Sequence, residues 1–243
     1  MVKLDDFQNW LLLSPIGRYT LHYERVFYHN IIPRVFGYYS LQIGLPEINF
    51  LQGSKISNHY VLDHDIKASL SFLPFANNSI DLIVCPHILE FTPNYHHLLQ
   101  ECYRVLIPNG KIIITSFNKN SFFQIFLRRE NAIKNTNFIS LNTLKQQLNT
   151  LNFFIEGGKF FGFRPPINNA KILAKLSFMD KIGDRWLPTF ANSYAIIASK
   201  ELITPTIIRS KPQLSDLKLS PKFRTSILEQ TQYTWQRPTQ NEK

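Results

Sequence analysis

With 243 residues, 44% of them apolar, the chain can bury the core of one domain of ordinary size and still carry appendages. No run approaches the ~20 apolar residues of a membrane span, and the opening MVKLDDFQNW lacks the charged-then-apolar order of an export signal, so a cytoplasmic protein is expected. A net charge of +10 invites nucleic acid, an anionic membrane surface or an acidic partner. No segment pairs a dense basic run with stacking aromatics, which leaves nucleic acid the disfavoured partner and scattered Lys and Arg as solubilising groups. Cys85 and Cys102 both lie in apolar segments and read as reduced thiols.

In chain order, residues 5–13 predict a short helix carrying Phe7, Trp10 and Leu11 on one side. Ser14-Pro15 then reads as a cap followed by proline at the first helical position, opening a second helix that Pro33 and Gly37 close. Residues 1–37 therefore form a helical lead. Tyr38–Gly44 reads as a first buried strand, His59–Asp63 as a weaker second and Ile80–Cys85 as a central strand apolar on both faces. Tyr95–Leu106 carries a buried stripe of Leu98, Leu99, Cys102, Val105 and Leu106, and Pro108-Asn109-Gly110 turns the chain into a strand at Lys111–Ser116. Ser140 caps a helix that Asn152 stops, and Phe153–Glu156 and Tyr194–Ser199 are the last strands. Between these strands a segment at about 157–190, rich in Gly, Pro, Phe and Lys, reads as a lid insertion. The basic stretch 205–243 loses apolar periodicity and reads as a disordered tail, leaving 38–204 as the main domain. This pattern predicts an α/β, Rossmann-like doubly wound, mostly parallel sheet ending in an antiparallel hairpin.

Three pieces give the chain a family resemblance. Leu73-Pro74-Phe75 with Ser79-Ile80-Asp81, then Pro86-His87-Ile88-Leu89-Glu90-Phe91, then Glu101-x-x-Arg104-Val105-Leu106-x-Pro108-x-Gly110 follow one another at the spacing of a type 11 domain. The chain thus resembles a class I S-adenosylmethionine-dependent methyltransferase of that group. Phe117-Asn118-x-x-Ser121 and Trp186…Tyr194 are further similar to a bacterial subset of it. The resemblance implies S-adenosylmethionine as cofactor and in-line methyl transfer.

The first glycine motif of the family is eroded. Aligned on Leu41, the chain has Gln42, Gly44, Pro46 and Ile48 where the family has an acidic residue and three glycines. Those glycines let backbone approach the cofactor and leave N–H groups to hold its carboxylate, whereas Pro46 has no N–H. The loss of one such bond costs about 1.5–3 kcal/mol. By the resemblance, Asp63 (with Asp65 as understudy) chelates the ribose hydroxyls, unless this Asp-His-Asp is only a polar turn. Ser69 and the N–H of Leu70 stand at the adenine position. The few residues between Asp63 and Ser69 are too short for a parallel crossover, so the sheet is expected to be shortened around its second and third strands.

His87, following the central strand beside Pro86, is the candidate general base, against the alternative that it only packs near the cofactor. Glu90 either positions substrate or caps the next segment. His96 and His97 read as solvated, and the three histidines lack metal-ligand spacing, so no metal is expected. Arg18, Arg25 or Arg34 of the lead can cover the cofactor carboxylate that the eroded loop no longer holds. Cys85-Pro86 does not match the nucleobase methyltransferases. Two functions follow: a methyltransferase acting on a small-molecule acceptor, with 157–190 as lid, or a non-catalytic binding or regulatory module. An RNA-directed methyltransferase rests on charge and tail alone.

Overall fold

The computed structural model describes residues 4–201 except 122, 123, 128, 135, 168 and 187. The tail read at 205–243 lies outside the described residues.

Two helices lead. α1 spans Leu4–Leu13 and α2 spans Pro15–Ile31, with the Ser14 side chain accepting from the Gly17 N–H as the cap and proline at the first helical position. One 3-10 turn, Ile32–Arg34, brings the chain to β1 (Tyr39–Gln42). Then come β2 (Asn58–Val61), β3 (Ile80–Pro86), the single turn α3 (Ile88–Phe91), α4 (Tyr95–Val105) and β4 (Leu106–Phe117). The short α5 (Gln124–Leu127) and α6 (Leu141–Thr150) precede β5 (Phe153–Phe161), and α7 (Ala170–Lys175) and α8 (Phe178–Trp186) precede β6 (Ser193–Lys200).

The sheet order is β2-β1-β3-β4-β6-β5, parallel through β4 and antiparallel for β6 and β5. β3 is buried on both faces because helices cover both. Leu82 and Val84 face the core built with α1 and α2, while Ile83 and Cys85 face the core built with α4 and α6. Cys85 and Cys102 are both free and buried.

The expected shortening is present. Among the described residues no helix lies between Asp63 and Ser69; the chain makes a turn there with one bridge, Leu62 to Ile66. The crossover from β1 to β2 has no helix either, so no helix meets a strand at Ile48. Ile48 is instead core, with Leu45, Phe50, Leu51 and Ile56, all against α1 and α2. Apolar burial replaces the helix as the glue of this crossover.

Two boundaries differ from the sequence reading. Pro108–Gly110 does not separate helix from strand: β4 already pairs Leu106 with Ile80, and 107–110 ride as a bulge before Lys111 pairs with Leu82. Residues 157–161, read as the start of the insertion, continue β5 and pair with β6 from Gly157–Ile197 to Phe161–Ser193.

Candidate functional site

From β1 the chain moves to β2 on one side and then to β3 on the other, so the loops after β1 and β3 flank the sheet's switch point, where open α/β sheets bind ligands. Gly44, with φ of +102°, brings the first loop against the second: a Cβ there meets the Pro86 carbonyl and Ile88 Cβ, each at 3.0 Å. Leu45 follows in the left-handed region at φ +48°, fully buried. Gln42, also fully buried, ties the loop from beneath. Its amide nitrogen donates to the carbonyls of Gly44, Leu45 and Ile48 at 3.1, 3.1 and 2.8 Å, and its oxygen accepts from the Phe50 N–H at 2.9 Å.

The turn after β2 is different in character. Asp63 has φ +69° and is exposed, and its carboxyl engages no described residue. Asp65 is used by the turn itself: it accepts from the Val61 N–H and from His64, both at 2.7 Å, and those bonds hold its pKa below the usual carboxylate range. Ser69 is exposed and accepts from the Ser71 N–H, and Leu70 is half-buried. The following Leu73–Asn77 run is clasped by Arg104 of α4, which donates to the carbonyls of Leu73 and Phe75, to Asn77 and to Glu101.

His87 is the left-handed residue (φ +52°) between β3 and α3, and its N–H donates to the Thr115 carbonyl. Its ring has no solvent contact. Nε2 lies 2.5 Å from Glu24 Oε1 of α2, and Nδ1 lies 3.0 and 3.1 Å from the Glu90 carboxyl oxygens. Glu90 also accepts from the Ser116 hydroxyl and the Phe117 N–H. The rings of Phe7 and Phe117 close the remaining sides at 5.1 and 4.6 Å. Burial opposes a charge on the imidazole, but the two carboxyl groups together outweigh it and push the His87 pKa up to about 10. Glu24 Oε2 is buried with no hydrogen-bond partner among the described residues.

Sequence reasoning did not single out Glu24. The available signal was its spacing: it lies on the stripe of Leu21, Phe27 and Tyr28, all of which are buried, so a carboxylate there had to meet a partner inside. Of the three arginines of the lead, all exposed, Arg25 borders the β1 loop. It lines a cavity of about 270 Å³ with His22, Tyr28, His29, Asn49 and Phe50. His96 and His97 are exposed on α4.

Comparison with known proteins places this geometry. Solved structures with TM-scores of 0.58 and 0.56 include a possible histamine N-methyltransferase from Thermotoga maritima (16% identity, 82% of this chain and all of that one) and an S-adenosylmethionine-dependent methyltransferase from Archaeoglobus fulgidus (19%, 74% and 94%). The fold is that of a class I S-adenosylmethionine-dependent methyltransferase. Residues 49–114 match the family described as a methyltransferase domain. Among curated relatives, MJ0638 of Methanocaldococcus jannaschii is 30% identical over 49% of this chain and 53% of its own length. YafS of Escherichia coli is 29% identical over 67% and 64%. The chain therefore spans between half and two thirds of these relatives' lengths.

The site fits the family's cofactor unevenly. The β2 turn offers an unengaged carboxyl beside exposed backbone, which suits an adenosyl group. At the opposite end Gln42 consumes the loop's carbonyls, Pro46 has no N–H and Leu45 and Ile48 fill the space, so this arrangement does not fit the methionine end.

Proposed function

We propose that the chain is a methyltransferase that holds S-adenosylmethionine chiefly by its adenosyl half and acts on a small-molecule acceptor. The observation that carries this reading is the unengaged Asp63 carboxyl in a left-handed turn at the tip of β2, beside the switch point of a methyltransferase sheet. Asp63 would accept from the ribose hydroxyls and the Leu70 N–H would reach the adenine ring, with Ser69 shaping the turn. Gln42, Gly44 and Pro86 form the wall beyond. Arg25, which lines a cavity with Asn49 and Phe50 of the loop, would meet the cofactor's carboxylate. When bound, the cofactor supplies an electrophilic methyl group, and the protein's task is to align the acceptor and take its proton.

In this reading the proton goes to Glu24 Oε2, the buried oxygen that lacks a donor among the described residues. His87 is charged at neutral pH and bonded on both nitrogens, so it positions Glu24 rather than acting as the base first expected of it. Entry of an acceptor requires Phe7 of α1, which covers His87, to move aside while α2 keeps Glu24 in place.

The packed β1 loop favours a second reading, a non-catalytic module on the methyltransferase fold. Calorimetry on the full chain with S-adenosylmethionine and S-adenosylhomocysteine separates the two. The enzyme reading expects micromolar affinity that falls at least about tenfold in Asp63→Ala, the loss of one charged hydrogen bond. Absence of heat at millimolar ligand selects the module.

A further inference from the structure

α8 is seated the wrong way round for an ordinary surface helix. Such helices bury their apolar stripe and expose their charges. α8 instead buries Gly183, where an added Cβ meets the Phe163 ring at 2.2 Å, so only glycine allows this approach. Its inward polar residue is Asp180, which accepts from the hydroxyls of Tyr19 and Tyr23 on α2 and from Arg164. These contacts fix the rotation of the helix. They leave Phe178, Ile182 and Trp186, at i, i+4 and i+8, as one outward stripe with exposures of 54, 52 and 73%. Single exposed apolar residues need no explanation, but an aligned stripe ending in tryptophan does.

The charges beside the stripe decide what it faces. Lys181 and Arg185 follow its edge along α8, and both are exposed. On the preceding α7, Leu173 is buried, and Lys171, Ile172 and Lys175 are exposed. Asp184 is the exposed carboxylate on these two helices, while Asp180 is neutralised by Arg164. A partner for this surface must be apolar in its interior and anionic at its boundary. Cationic side chains flanking an aromatic and aliphatic face are the arrangement of helices that lie in the headgroup region of a bilayer.

We propose that α7 and α8 form a membrane-docking surface that inserts Phe178, Ile182 and Trp186 among acyl chains while Lys171, Lys175, Lys181 and Arg185 meet anionic lipid headgroups. The proposal stands apart from the cofactor reading, since it uses no residue of the switch-point site. Its four cations add to the excess of Lys and Arg behind the net charge of +10, and the described residues hold no helix long and apolar enough to cross a membrane.

The test is flotation of the full chain with phosphatidylcholine vesicles, with and without phosphatidylglycerol. It is run for the wild type, for a Phe178→Ser, Ile182→Ser, Trp186→Ser variant and for a Lys181→Glu, Arg185→Glu variant. All substituted side chains are exposed, so unchanged circular dichroism and melting are required first. The expected result is binding to the anionic vesicles only, weakened by salt and reduced at least about tenfold in each variant. A blue shift of tryptophan emission is expected in the wild type and not in the serine variant. Equal binding by wild type and serine variant would overturn the proposal and assign the affinity to the basic residues 205–243. No binding to any vesicle overturns it as well, as does a wild-type dimer that the serine variant converts to monomer, which would give the stripe to a second copy.

Discussion

The imidazole of His87 has no contact with water and lies between Glu24 and Glu90, so its charge belongs to the folded state. Its folded pKa of about 10 exceeds the ordinary value of 6.5, so its stabilisation is complete below about pH 6.5 and is lost as pH rises through 10. Urea unfolding at stepped pH is expected to show wild-type stability declining across that window. His87→Leu is expected to lose about 3–5 kcal/mol at pH 6, because it strands two buried carboxyl groups, and to flatten the dependence. Gln42 allows a sharper comparison. An acidic residue is what the family carries there, yet in this chain the Gln42 amide nitrogen faces three carbonyl oxygens. Gln42→Glu turns each attraction into a repulsion and is expected to cost about 3 kcal/mol or more by denaturant unfolding, above the cost of Gln42→Leu. The substitution of Gln42, Pro46 and Ile48 for the family pattern was legible in the sequence. That Gln42 and the apolar residues then fill the loop was not, because it depends on α2 lying over them.

At the scale of elements, local signals worked where they are covalent or short-range. Ser14-Pro15 started α2, Ser140 started α6 and Asn152 stopped it at φ +60°, because capping and left-handed stops depend on a few neighbouring residues. The segment 43–57 failed to declare itself, since a crossover without a helix has no periodicity to read. Two clasps hold irregular segments in place. Arg104 secures 73–77, and Arg104→Ala is expected to cost about 2 kcal/mol and to speed amide exchange there, with weaker adenosyl binding as a consequence. Asp180 secures α8 to α2 through Tyr19, Tyr23 and Arg164, and burial and the Asp180 contact raise the Tyr23 pKa to about 12. Asp180→Ala is expected to make 164–190 the first site of limited proteolysis while leaving the central sheet protected.

For the whole molecule, α1 and α2 are part of the core on one face of the sheet. Phe7, Leu11, Ile16, Phe27 and Tyr28 pack with Val84, Ile113 and Phe117, the place where the β1 crossover brings no helix of its own. A chain lacking residues 1–37 is therefore expected to expose that face and to give an aggregated product without a cooperative melt, whatever ligand is added. The sequence by itself determined the sheet: its apolar strands, the Leu73–Ser116 motifs, the missing crossover after Asp63 and the final hairpin all follow from period, turn chemistry and chain length. Tertiary structure alone decided that Glu24 reaches His87 across 63 positions, that the eroded glycine loop is filled rather than open, and that α8 turns its apolar side outward. The reason is the same in each case. Strand and helix patterns are written in neighbouring residues, whereas a buried ion pair, a filled loop and the rotation of a helix depend on which distant surface it meets.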